Sequence, residues 1–149
     1  MNLKGLITTY LQEAQLMQIA TAKNNQPWVC SVYFAFDDNL NLYWISKKET
    51  RHSLEIGTNE KVAGTIVLPH IPGQKVRGLQ FQGTGRKAIG DTMQKAMDTY
   101  ATRMGMKEER KQKILTGEDA HAPYTIKPSL FVLFDEMNFP DNPRQEYHL

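Results

Sequence analysis

Two apolar runs, WVCSVYFAF at residues 28–36 and LNLYWIS at 40–46, are separated only by Asp37, Asp38 and Asn39. Runs rich in aromatic and β-branched residues with turn formers between them predict a β-hairpin. Strand side chains alternate, so Trp28, Cys30, Val32, Phe34 and Phe36 share one face and Val29, Ser31, Tyr33 and Ala35 the other. Both faces are largely apolar, which predicts a strand covered on both sides.

The remaining strand patterns are MQIATA (17–22), KVAGTIVL (61–68), VRGLQFQGTGRKAI (76–89) and SLFVLFDEMNF (129–139). Helical spacing is confined to residues 3–16, a short stretch after residue 50 stopped by Gly57, and 91–113 with a break at Gly105. Strands that cluster as hairpins, without long alternating helices, exclude a doubly wound parallel sheet. They predict a mainly β chain with attached helices: a small antiparallel barrel. The 149 residues suit one domain, 1–149, with a core of about 15–140 and a polar tail, 140–149, that is loose or docks on a partner.

Charge narrows the functions. Eighteen basic and 16 acidic side chains leave a net +2, too little for a nucleic-acid surface despite Arg77, Arg86, Lys87 and the run KEERKQK at 107–113. No run approaches the ~18 apolar residues of a membrane span, and MNLKGLITTYLQEAQL lacks a signal-peptide pattern. A cytoplasmic protein with no nucleic-acid or membrane partner is expected. Cys30 is the one cysteine and reads as a small core residue. His52, His70, His121 and His148 have no metal-ligand spacing, so no metal site is predicted. The GTGRKAIG stretch lies inside a strand pattern and is not a dinucleotide loop.

The chemical signal is ISKKETRHSLEIG, residues 45–57, where a strand hands over to a helix among Lys47, Lys48, Thr50, Arg51 and His52. With Thr50 as amino-terminal cap, free backbone N–H groups and the positive helix end would sit beside Arg51 and His52. That combination suits a phosphate. The other reading is a solvated turn.

The order of elements here resembles the pyridoxamine 5'-phosphate oxidase-like split-barrel proteins. Ser46, Thr50, His52, Glu55 and Ile56, then Asn59, Val62 and Ala63, fall on that family's central motif, and Thr50-Arg51-His52 is similar to its Ser-Arg-Lys loop. PWVCSVYFAF and SLFVLFDEMNF resemble its first long hairpin strand and its closing strand. The stretches TRHS, VAGTI, RGLQFQG and FPDN most resemble a small bacterial branch.

The resemblance implies a six-stranded antiparallel split β-barrel of Greek-key type, forming a homodimer with two FMN sites at the interface. It places Ser31 and Val32 along the flavin, Ile45 and Ser46 against it, and Thr50, Arg51 and His52 on its phosphate. Gln80 lies two residues beyond the position of the family's flavin-contacting Gln. FMN is the cofactor implied, with the deazaflavin F420 or haem as alternatives. The implied function is a flavin-dependent oxidoreductase, oxidase or reductase, on a small substrate. The alternative is a non-catalytic flavin- or haem-binding storage or sensor protein. No catalytic residue is assigned. His52 replaces the family's phosphate-binding Lys, Gly78 follows Arg77 where the oxidases have Gln, and their carboxyl-terminal Trp and Arg have no counterpart in FPDNPRQEYHL. Oxidation of pyridoxamine phosphate itself is therefore not expected.

Overall fold

The computed structural model describes residues 2–149. Its elements in order are α1 (Leu3–Glu13), β1 (Leu16–Lys23), β2 (Gln26–Tyr33), β3 (Ala35–Phe36), β4 (Leu42–Lys47), α2 (Arg51–Thr58), β5 (Lys61–Val67), β6 (Arg77–Lys87), α3 (Gly90–Met104), α4 (Glu108–Thr116), β7 (His121–Asp135) and β8 (Arg144–His148). All strand pairings are antiparallel, in the order β2-β1-β5-β6-β7-β4-β3, with β8 on the free half of β7.

The sheet is a split barrel with eight strand segments rather than the six expected. The two extra segments are β3, which continues β2 after a break at Phe34, and β8, built from the tail. Two ordered connections explain where the barrel opens. Asn24 and Asn25 both take positive φ, 51° and 62°, and as a two-residue turn they pair β2 with β1 along its whole length. The hairpin expected across Asp37–Asn39 then shrinks to two pairs, Ala35↔Tyr43 and Phe36↔Leu42. Beyond that corner β2 and β4 are not hydrogen-bonded, and the sheet stays open between them.

The core fills the inner face. Ile19, Phe34, Leu42, Trp44, Ile66 and Phe131 are fully buried there, and α1 closes one end with Ile7, Tyr10 and Leu11. Tyr10 donates to Asp135 Oδ2 at 2.5 Å, and Asn138 Nδ2 donates to the same oxygen at 2.8 Å. This locks α1 to the end of β7. Gly64 is required where β5 crosses, because a Cβ there would collide with the Gln18 carbonyl oxygen and the Phe81 ring.

Four expectations are corrected. The outer face of β2 is bare: Val29 and Tyr33 are 57% and 56% exposed, because no second layer packs over these side chains. Gly57 does not stop α2, which runs to Thr58 and ends when the Asn59 N–H bonds the Glu55 carbonyl. The tail is not loose, since Arg144–His148 adds a strand to β7. The closing strand, expected from Ser129, begins at His121, so residues 121–128 open β7. Pro123 and Pro128 disguise that strand, and Pro128 is tolerated at the register shift between Gln82 and Gly83. Among the described residues no helix is long and apolar enough to cross a membrane.

Candidate functional site

Strand β4 ends at Lys47, and a turn closed by the Thr50 N–H bonding the Lys47 carbonyl leads into α2. Helix α2 is amphipathic: Ile56 enters the core and Glu55 is 3% exposed. A buried carboxylate needs partners, and Glu55 has two. Thr21 on β1 donates to Oε1 at 3.2 Å, and Arg51 Nε donates to Oε2 at 3.0 Å. The Arg51 guanidinium in turn lies 4.1 Å from the centre of the Trp28 ring on β2, a cation–π contact. So α2 is fastened to β1 through Thr21 and to the edge strand β2 through Trp28, and Arg51 lies over the Trp28 ring with 46% of its side chain in solvent.

The first turn of α2 presents the backbone N–H groups of Arg51, His52 and Ser53, which precede the first helical bond, Leu54 N–H to Thr50 carbonyl. Thr50 occupies the cap position, yet its hydroxyl caps no amide. The Thr50 and Ser53 hydroxyls lie 2.7 Å apart, and both lie within hydrogen-bonding distance of the Lys47 carbonyl, at 2.9 and 3.0 Å. The expected side-chain cap is thus replaced by a hydroxyl network that leaves the amides free. His52 Nε2 is 2.7 Å from Ser46 Oγ and 3.3 Å from Thr50 Oγ1. Burial holds the His52 imidazole below its ordinary pKa, with Glu55 opposing. The ring is therefore neutral near pH 7 and supplies a hydrogen bond, not a charge.

These residues fit a phosphate through three amides and the Arg51 Nη groups, which have no partner among the described residues; the Thr50 and Ser53 protons are already donated within the hydroxyl network. They fit it less through charge than the sequence suggested, because Arg51 is shared with Glu55. The i,i+4 spacing of Arg51 and Glu55 was a legible signal for that pair. The contacts of Thr21 and Trp28 were not, since both come from elsewhere in the chain.

The eight sequence-predicted residues fall into three groups. Ser46, Thr50, Arg51 and His52 are brought together at the β4–α2 turn. Ile45, half-buried one residue before Ser46, and Val32, half-buried against the core from β2, border the opening. Ser31 and Gln80 lie on the outer sheet face in one register row, Ser31–Gln18–Thr65–Gln80. Thr65 Oγ1 donates to Gln18 Oε1 at 3.1 Å within it. Three strand spacings separate Ser31 from Gln80, about 14 Å, so one chain does not bring these two side chains together.

Other perturbed groups serve the fold. Burial pushes Cys30 up to about 11, which makes it an inert thiol. Burial works to raise Asp37, but bonds from Lys95, Asn41 and Tyr43 hold it below its ordinary value. A cleft of about 890 Å³ between α1 and α3 is lined by Tyr33, Phe36 and Arg103, and a second of about 1040 Å³ lies on the outer sheet face. Neither is lined by any of the eight residues.

A UPF0306 protein of Pasteurella multocida is 29% identical over 97 residues, 64% of this chain and 65% of that relative. The chain thus matches just under two thirds of that relative's length. The haem storage protein HutZ of Vibrio cholerae superposes with a TM-score of 0.65 at 17% identity, covering 86% of this chain and 91% of its own. An FAD-binding protein of Mesorhizobium loti gives 0.64 at 18% identity, covering 83% and 88%. Both share the split-barrel fold. The family model for pyridoxamine 5'-phosphate oxidase matches residues 3–123, and the chain belongs to that family.

Proposed function

We propose that this protein binds FMN, with its phosphate at the β4–α2 turn and its ring system along the opening between β2 and β4. The observation that carries this reading is the turn itself: three free amides and a half-exposed Arg51 beside the edge where β2 and β4 are not hydrogen-bonded. Bound there, the flavin would supply hydride and electron transfer. The chain's own residues would hold and orient it. Arg51 and the amides of Arg51, His52 and Ser53 would take the phosphate, Ser46 would keep the His52 ring in place, and Val32 and Ile45 would exclude water from one side.

The same reading calls for a second copy of the chain. Leu16, Val29, Tyr33, Val67 and Phe134 stand exposed on the outer face, a patch of the kind that marks an interaction surface. Gln80 would then reach a flavin only from the partner. We propose a homodimer of cytoplasmic flavoproteins acting on a small substrate as an oxidase or reductase.

Storage or sensing is the second reading. One observation favours it: at the turn the His52 ring is bonded to Ser46, and Glu55 to Thr21 and Arg51, so both titratable side chains are taken up in holding the structure. Anaerobic addition of NADH or NADPH to the FMN-loaded protein separates the two. Bleaching of the flavin band near ~450 nm supports the oxidoreductase. An unreduced flavin under both donors rejects a nicotinamide-driven reductase and favours storage. A Soret band in place of a flavin band would replace FMN with haem.

A further inference from the structure

The cleft of about 1040 Å³ lies on the outer sheet face, and none of Ser46, Thr50, Arg51 and His52 is in its lining. Its floor is made of Ala20 and Ala22 on β1 and Ala63 on β5. Ala20 and Ala63 are register partners, so neighbouring strands present side chains no larger than a methyl group and the floor is flat. Above the floor, Lys61, Thr84 and Lys127 occupy one register row across β5, β6 and β7. The two lysines therefore flank the Thr84 hydroxyl from either side, with backbones about 10 Å apart. Neither lysine forms an ion pair among the described residues. No lining side chain is an Asp or Glu; Gln82, Asn39 and Asn41 add amides, and Leu149, whose terminal carboxylate is the one acidic group of the lining residues, stands beside Ser129.

The floor forms for a local reason. Pro128 stands opposite the glycine Gly83 at the one register shift of the β6–β7 pairing, and a Cβ on Gly83 would collide with the Lys127 carbonyl oxygen. The bulge bends the sheet there. Bending, small floor residues and unpaired cations coincide in one place.

We propose that this cleft is a second ligand site, taking a planar aromatic anion. Its ring would lie on the Ala20–Ala22–Ala63 floor, and its carboxylate, sulfonate or phosphate would sit between Lys61 and Lys127 over Thr84. None of the eight candidate flavin residues lines the site, whose floor residue Ala20 adjoins Val29 of the proposed dimer patch. Four residues along β5 separate the Lys61 row from the Thr65 row that holds Ser31 and Gln80, about 13 Å. Its ligand class is set by charge complementarity and floor shape, independently of whether FMN binds.

The test uses the full chain and the fluorescent aromatic sulfonate 1-anilinonaphthalene-8-sulfonate, titrated with and without saturating FMN. The proposal expects binding that persists in FMN and weakens about tenfold in Lys61→Ala, Lys127→Ala, the scale of two partly exposed ion pairs. Amide NMR shifts on binding should centre on residues 20–22, 61–63, 82–84 and 127–129. Equal affinity in the double variant would overturn the proposal, since apolar surface alone would then account for the dye. Stoichiometric displacement by FMN, or shifts centred on Thr50–Ser53, would overturn it differently, by making the cleft part of the flavin site. The variant's circular dichroism and urea midpoint, expected unchanged, separate lost binding from lost folding.

Discussion

Replacing Tyr10 with Phe removes one oxygen from the contact that ties α1 to the end of β7. In the wild type that phenol donates to Asp135 Oδ2 at 2.5 Å, and Asn138 Nδ2 approaches it at 3.3 Å. Asp135 is fully buried. It keeps the Met137 and Asn138 amides at 3.0 and 2.9 Å and the Asn138 side chain at 2.8 Å. The variant therefore loses one bond to a charged acceptor, not the whole network, and the ring still fills its place. Such a bond contributes about 1.5–3 kcal/mol, so about 2 kcal/mol should disappear at pH 7. For a chain of this size that is a fall in Tm of about 4–8 °C. The assay is urea unfolding followed by circular dichroism, with a lower midpoint at unchanged slope.

The pH dependence follows from the same bond. Burial works to raise the Asp135 carboxyl, but the Tyr10 and Asn138 bonds hold it below its ordinary value. A depressed carboxyl contributes stability above its unfolded pKa, about 3.9, and loses it as pH falls through the folded value. Tyr10→Phe makes the depression smaller, so the difference from wild type should narrow below about pH 4. At the alkaline end Tyr10 is pushed up to about 12 by burial and the Asp135 bond. Its contribution is complete below the ordinary phenol value of about 10 and is lost as pH rises toward the folded one. A loss under ~0.5 kcal/mol at pH 7, or one that grows in acid, would refute the reasoning.

Three further perturbations read other parts of the structure. Gly64→Ala should cost about 3 kcal/mol or more by urea unfolding, because the added methyl meets the Gln18 carbonyl, which a rigid strand cannot withdraw; a neutral result would mean β1 and β5 lie farther apart. His52 is held below its ordinary pKa by burial, so its stability is present above about 6.5 and lost as pH falls from there. His52→Gln should flatten that part of the stability profile, and an unchanged slope would show the ring to be fully solvated. Tyr33→Glu with Phe134→Glu should convert a dimer into monomer by light scattering, while a dimer that survives both changes would use another surface.

The strands were legible wherever they carried their own signal. The alternation in WVCSVYFAF, the paired Leu79 and Phe81, and the Gly105 break between α3 and α4 all correspond to observed elements. Pairing was less legible than existence. Asn24–Asn25 and Asp37–Asn39 are both competent turns, and only packing decides that the first makes a full hairpin and the second a two-residue corner. Pro123 and Pro128 hid half of β7. At the candidate site, the Ser46, Thr50 and His52 cluster was readable because it is local. The division of Arg51 between Glu55 and solvent was not, since it depends on Thr21 and Trp28 arriving from β1 and β2. The placement of Gln80 was unreadable for the same reason: sheet order, not spacing, sets its distance from Ser31.

The central claim is that the β4–α2 turn holds a flavin phosphate. The direct measurement is the absorption spectrum of the purified chain after FMN is added and unbound FMN removed by desalting, for wild type and for Arg51→Ala with His52→Ala. The account predicts a retained band near ~450 nm in the wild type that is lost from the double variant while its circular dichroism stays unchanged. A wild type that retains no flavin, or a double variant that retains it equally well, would contradict the account.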